Sequence, residues 1–214
     1  MTIGLVIRTL IVDDHKIVRE GLKLILDDSE DISVEGEASN GEEAFKLITE
    51  NNYDLVLLDI SMPGKSGLEV LREIKSYKPE QKVLILSMHG ENIYAKRTLK
   101  AGASGYMTKE SASTDLVDAI HKIHAGGKYI TPELTEILIK DIGGDISITP
   151  HEKLSNREYQ VFEKIASGKK VFEIAEELNL SSKTISTYRT RILEKMNMET
   201  NSEITNYALQ NNLL

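Results

Sequence analysis

The sequence predicts two folds in series: an α/β doubly wound domain on a five-stranded parallel sheet, then an all-α domain of four helices. Residues 1–125 alternate short apolar runs with amphipathic stretches. Glycine pairs and Thr-Pro steps break that alternation between Gly126 and Pro150. After Leu154 only the helical period remains. Strands that alternate with helices make a parallel sheet covered on both faces, and a run of helices alone makes a bundle.

The first apolar run, Leu5–Val12, leads into amphipathic His15–Leu26. Ile32–Ala38 precedes the helix Glu42–Glu50, and Leu55–Leu58 precedes Leu68–Tyr77. Val83–Leu86 precedes Asn92–Ala101, and a short run, Gly105–Met107, precedes Ser111–His124. Uninterrupted runs such as LVLL and VLIL suit strands buried on both faces. Residues 126–150 read as a linker that holds one helix, Pro132–Asp141. Residues 151–214 form the second domain. Ser155 with Glu158 three residues later is a capping box, and Gly168 suits the position after the helix 155–167. A helix follows at 170–178, and Asn179-Leu180 turns the chain. Ser181-Ser182 opens a third helix to about Met198, and Ser202–Gln210 is the fourth.

Composition narrows the function classes. No apolar run reaches the ~18 residues that a membrane span needs, so no membrane partner is expected. The apolar start meets Asp13 and Asp14 without a small-residue cleavage site, so no secretory signal is expected either. The chain has no cysteine, which excludes disulfides, thiolate zinc sites and thiol nucleophiles and suits a cytoplasmic location. The net charge of −8 argues against nucleic acid until it is divided. Residues 1–150 hold 17 basic and 25 acidic side chains, whereas residues 151–214 hold 9 of each. Within the second part, the segment Lys183 to Lys195 holds four basic residues, Lys183, Arg189, Arg191 and Lys195, against Glu194 alone, a local patch that suits phosphates.

In a doubly wound sheet, ligands gather at the carboxyl ends of the strands, beside the point where strand order reverses. Asp13-Asp14, Asp59, Ser87 and Lys109 fall at those ends. Converging carboxylates repel one another and need compensation. Lys109 and a divalent cation are the evident compensators. Oxygen ligands with room for water favour Mg2+.

These residues carry a resemblance. Ile11-Val12-Asp13-Asp14-His15, Leu57 to Gly64, Ser87 and Gly105-Tyr106-Met107-Thr108-Lys109 match, in order and spacing, the receiver domain of two-component response regulators. The resemblance implies that Asp59 is the phosphoacceptor. It also implies that Asp13, Asp14, Asp59 and the Ser61 backbone carbonyl hold Mg2+. Ser87 and Lys109 would bind phosphoryl oxygens, and Tyr106 would change rotamer with Ser87. Glu110 departs from the family pattern, where many receivers carry a cis-proline.

Residues 154–214 resemble the LuxR-type helix-turn-helix output domain, and the whole chain resembles the NarL/FixJ branch of response regulators. Leu154 to Glu158, Gly168, Glu173-Ile174-Ala175, Leu180-Ser181, Lys183-Thr184-Ile185 and Ile192 to Met196 carry the match. The resemblance makes 182–197 the reading helix in the major groove of double-stranded DNA. Ile185, Tyr188, Ile192 and Met196 form its buried stripe. Lys183, Arg189, Arg191 and Lys195 suit phosphates, and Ser186, Thr187 and Thr190 suit base edges. Related proteins often carry lysine where Ser186 and Thr190 stand.

The expected function is a transcription factor whose Asp59 is phosphorylated by a sensor histidine kinase, and which then dimerises and binds DNA. Apolar residues on the first and fifth helices suggest a receiver dimer through both. Two other classes fit less well. An Mg2+-dependent phosphohydrolase with an aspartyl-phosphate intermediate wants a second carboxylate two residues after the nucleophile, where Ser61 stands. A flavin carrier wants a Ser/Thr/Gly-rich loop after the first strand, which is absent from the sequence.

Overall fold

The computed structural model describes residues 6–88, 94–143, 149–211 and 213. Leu5, Asn92 and Ile93, placed above in the first strand and fourth helix, lie outside the described residues. The chain divides into two compact units, residues 1–144 and 145–214.

The first unit runs β1 (Ile7–Val12), α1 (Lys16–Asp27), β2 (Ile32–Ala38), α2 (Gly41–Glu50), β3 (Leu55–Asp59), α3 (Gly67–Tyr77), β4 (Val83–Ser87), α4 (Tyr94–Lys100), β5 (Gly105–Thr108), α5 (Ala112–His124) and α6 (Pro132–Gly143). The sheet order is β2-β1-β3-β4-β5, and every pairing is parallel. This is the doubly wound fold that the sequence predicts. Strand order reverses between β1 and β3, so a crevice opens at their carboxyl ends.

Every residue of β3 and β4 is buried, as their unbroken apolar runs require. On one face Ile11, Leu57, Leu84 and Met107 pack with Leu22 and Leu26 of α1 and Leu116, Ile120 and Ile123 of α5. The apolar stripe of α5 is therefore core, and it offers no wide patch for a dimer. Helix α1 differs, because Ile17 and Leu24 are 83% and 70% exposed. Helix starts are fixed locally: Asn40 caps α2 by accepting from Glu42 and Glu43, and Ser66 with Glu69 closes a capping box on α3.

The chain after α5 returns to the sheet. Tyr129 N donates to Ser104 O at 3.0 Å, and Tyr106 N donates to Tyr129 O at 3.4 Å, which makes a single parallel bridge beside β5. Glycine at 105 permits this approach, because a Cβ there would lie 2.8 Å from the Tyr129 carbonyl oxygen. Helix α6, read above as part of a linker, belongs to the first unit and buries Leu134.

The second unit opens with a 3-10 turn (Pro150–Lys153), followed by α7 (Asn156–Ala166), α8 (Val171–Glu177), α9 (Ser182–Met196) and α10 (Asn201–Gln210). Ser155 and Glu158 form the expected capping box, and Gly168 takes φ +81 after α7. Asn179 turns the chain at φ 51, Ser181 caps α9, and Asn197 ends it at φ 55. Tyr159, Phe162, Ile174, Ile185, Ile192, Met196 and Ile204 fill the core. Tyr188, expected in the buried stripe of α9, is half-buried, and Leu193 is buried beside that stripe. His151 Nδ1 meets Tyr207 Oη at 2.7 Å and ties the opening turn to α10.

Candidate functional site

Val12 of β1 pairs with Leu58 of β3, so the next residues, Asp13 and Asp59, emerge side by side from the sheet. Lys109 follows β5, whose Thr108 pairs with Ser87 of β4. The Lys109 ammonium lies 2.6 Å from Asp13 Oδ2 and 3.0 Å from Asp59 Oδ2. Both carboxylates are 1% exposed. Two amides complete the frame: Ser61 N donates to Asp59 Oδ1 at 3.1 Å, and His15 N donates to Asp13 Oδ1 at 2.9 Å.

One ammonium thus serves two buried carboxylates, with Asp14 close by. Burial drives the Asp59 carboxyl above its ordinary value; Lys109 opposes that rise and Asp13 reinforces it. Burial pushes the Lys109 ammonium down, but Asp59 and Asp13 more than offset this and hold it above its usual range. Asp13 Oδ2, Asp14 Oδ1 and Asp59 Oδ2 face Lys109 or the His15 ring without a hydrogen bond of ordinary geometry. Ligand atoms of Asp13, Asp14, His15 and Asp59 lie within 4.8 Å of one another. A hard divalent cation fits this donor set, which is rich in carboxylate oxygen and short of positive charge.

Ser87 is fully buried at the end of β4, and its carbonyl accepts from Lys109 N at 2.8 Å. Tyr106 is also fully buried, beside Ile85 of β4. Sequence reasoning missed Arg19, whose Nη1 donates to the Asp13 carbonyl at 2.7 Å while its Nε donates to Glu37 at 3.1 Å. This bridge from α1 holds the Asp13-Asp14 turn to β2. The helical period places Arg19 on α1, but nothing in the sequence says which carbonyl it reaches.

On α9, Ser186, Thr187 and Thr190, expected to meet base edges, are exposed, and Arg189 is half-buried. Ser186, Thr187 and Thr190 each donate to the carbonyl four residues back, at 2.8, 3.0 and 3.1 Å, which leaves their lone pairs outward. Lys183 and Arg191 are exposed and have no ion-pair partner among the described residues. The other two cations are engaged. Arg189 Nε donates to Asn201 Oδ1 at 2.6 Å, and Lys195 Nζ donates to Glu158 Oε2 at 2.6 Å. Burial raises the Glu158 carboxyl, but Lys195 and the bonds from Ser155 outweigh it and hold the carboxyl below its ordinary range.

Comparisons with known proteins identify the same two domains. Residues 9–121 match the response regulator receiver domain, and residues 152–208 match the family of bacterial regulatory proteins of the luxR type. The chain is 40% identical over 208 residues to the response regulator UvrY of Escherichia coli K12, covering 97% of this chain and 95% of that one. It is 38% identical over 209 residues to the response regulator GacA of Pseudomonas aeruginosa, covering 97% and 98%. Among solved structures, RcsB of Salmonella typhimurium aligns with a TM-score of 0.68 at 28% identity, covering 94% of this chain and 96% of that one. RcsB of Salmonella enterica bound to promoter rprA with the phosphomimetic BeF3- aligns at 0.65 and 26%, covering 94% and 98%. No helix among the described residues is long and apolar enough to cross a membrane.

Proposed function

Because the chain belongs to the NarL/FixJ response regulators, transcription factors that join a receiver domain to a LuxR-type DNA-binding domain rather than enzymes, we propose that Asp59 is its phosphoacceptor. The donor is a phosphohistidine on a partner kinase. The Asp59 carboxylate attacks phosphorus, an O–P bond forms as the donor's N–P bond breaks, and the histidine leaves as imidazole. Lys109 neutralises charge on the phosphoryl oxygens, and the Ser61 amide orients the attacking carboxylate. Asp13, Asp14, Asp59 and the Ser61 carbonyl would hold Mg2+, which supplies further positive charge to those oxygens when bound. Ser87 offers its hydroxyl to the phosphoryl group, and Tyr106, buried in the next strand, fills the space that Ser87 vacates.

The observation that carries this reading is the deficit of positive charge around Asp59, with one ammonium 2.6 and 3.0 Å from two buried carboxylates. A divalent cation makes up that deficit, and with it in place a dianionic phosphoryl group on Asp59 meets two positive centres, so the receiver has two charge states to switch between. The phosphorylated chain then binds double-stranded DNA as a homodimer in the cytoplasm. Ile17 and Leu24 of α1 offer an apolar ridge for receiver pairing, and α10 pairs the output domains. On α9, Lys183 and Arg191 reach phosphates, and Ser186, Thr187 and Thr190 meet base edges.

Intact-mass measurement after exposure to acetyl phosphate and Mg2+ tests the assignment. One phosphoryl group should appear on the wild type and be lost in Asp59→Asn and under EDTA. Phosphate retained by the variant refutes it.

A further inference from the structure

We infer that Lys195 is a positioning residue rather than a phosphate contact: paired with Glu158, it sets the seat of the reading helix α9 on α7. This rests on the DNA binding of the family and is independent of the chemistry at Asp59. Glu158 is only 3% exposed. Its Oε2 accepts from Ser155 N at 2.7 Å and from the Lys195 ammonium at 2.6 Å. One carboxylate oxygen therefore serves both the first turn of α7 and the last turn of α9, 37 residues apart.

The electrostatics favour this partner over a phosphate. Were Lys195 to swing out to DNA, a buried carboxylate would lose its countercharge, a loss far costlier than breaking an exposed pair. The position along the helix agrees. Lys195 is eight residues beyond Thr187, about 12 Å further along α9 at 1.5 Å per residue, whereas helices of this type read bases with their N-terminal half. At the C-terminal turn a cation also meets the negative end of the helix dipole. Arg189 repeats the pattern more weakly, held by Asn201 at 2.6 Å on the exposed side. Of the four basic residues on α9, two remain for phosphates.

Glu158→Gln separates the two roles because they predict opposite signs. Glutamine still completes the Ser155 capping box, so α7 keeps its start while Lys195 loses its anion. The full chain is titrated across salt concentrations on two probes: a duplex selected by the wild type from a random pool, and a shuffled duplex of the same composition. Positioning predicts an affinity loss on the selected duplex of about fivefold or more, near-unchanged affinity on the shuffled one, and an unchanged salt slope. Lys195→Met should reproduce that pattern, and Lys195→Arg should restore most of the affinity. If Glu158→Gln instead tightens both duplexes and steepens the slope by about one, Lys195 is a phosphate contact held in check, and the inference fails. Unchanged binding, or equal weakening on both duplexes, overturns it as well.

Discussion

Gly67 backs onto the main chain of Asp59: a Cβ at position 67 would lie 2.1 Å from the Asp59 carbonyl oxygen and 2.7 Å from Ile60 Cα. Both obstacles are backbone, so no rotamer relieves them. Gly67→Ala should push the end of β3 away from α3, at a cost of about 1–3 kcal/mol in urea unfolding. It should also slow acetyl-phosphate labelling, because Asp59 moves with its own backbone. Wild-type stability in Gly67→Ala would show that the loop yields freely.

Asp59 ionises against the pull of burial, and this gives a pH-dependent stability. Its carboxyl in the folded protein titrates above the ordinary 3.8, so between those two values the folded state binds more protons than the unfolded one. Stability therefore falls as pH rises through that window. Asp59→Asn removes the penalty. The variant should be the more stable protein at neutral pH, with an advantage that shrinks as pH falls toward 3.8. Denaturant titrations at several pH values check this; an Asn variant weaker than wild type at neutral pH contradicts it.

A cation that binds only the folded acidic cluster must stabilise it. At a hundredfold excess over Kd the gain is about 2.7 kcal/mol, visible as a rise in Tm with added Mg2+. Asp13→Asn should abolish most of that rise. Equal Mg2+ responses in the two proteins would place the ion elsewhere.

The acidic cluster was legible in the sequence because alternation located the strand ends, and chemistry at strand ends converges in this fold. Asp13, Asp59 and Lys109 needed no finer information. What remained hidden depends on side chains that meet across long separations. Glu158 reads as a capping residue, which it is, yet its second bond reaches Lys195. Arg19 reads as the polar face of α1, whereas it clasps the Asp13 carbonyl. The stripe on α5 misleads for a related reason: Leu116, Ile120 and Ile123 look surplus until the sheet is seen to take all of them. Periodicity gives the width of an apolar face, but not the area of the surface that receives it.

On the reading helix, Lys183→Ala should weaken selected and shuffled duplexes alike and reduce the salt slope by about one. Thr187→Ala should leave the slope unchanged and relax preference at one or two base pairs by about 1–3 kcal/mol. Indistinguishable behaviour of the two variants would mean that α9 lies in the groove at another angle.

Leu24 is 70% exposed on α1, so Leu24→Glu should alter monomer stability by no more than about 0.5 kcal/mol. In sedimentation it should nonetheless hold the acetyl-phosphate-treated protein monomeric where the wild type dimerises. A dimer of undiminished strength would remove α1 from the interface.

The bridge between Gly105 and Tyr129 bears on solubility as well as on shape. A parallel sheet ends in strands with unpaired amides and carbonyls, which invite pairing with any passing extended chain. Here the protein lays its own backbone along that margin, occupying Ser104 O and Tyr106 N. An incoming strand must displace Tyr129 before it can register with β5. The missing side chain at Gly105 leaves room for a guard at the start of β5, and a larger residue there would open Ser104 O and Tyr106 N to an incoming strand.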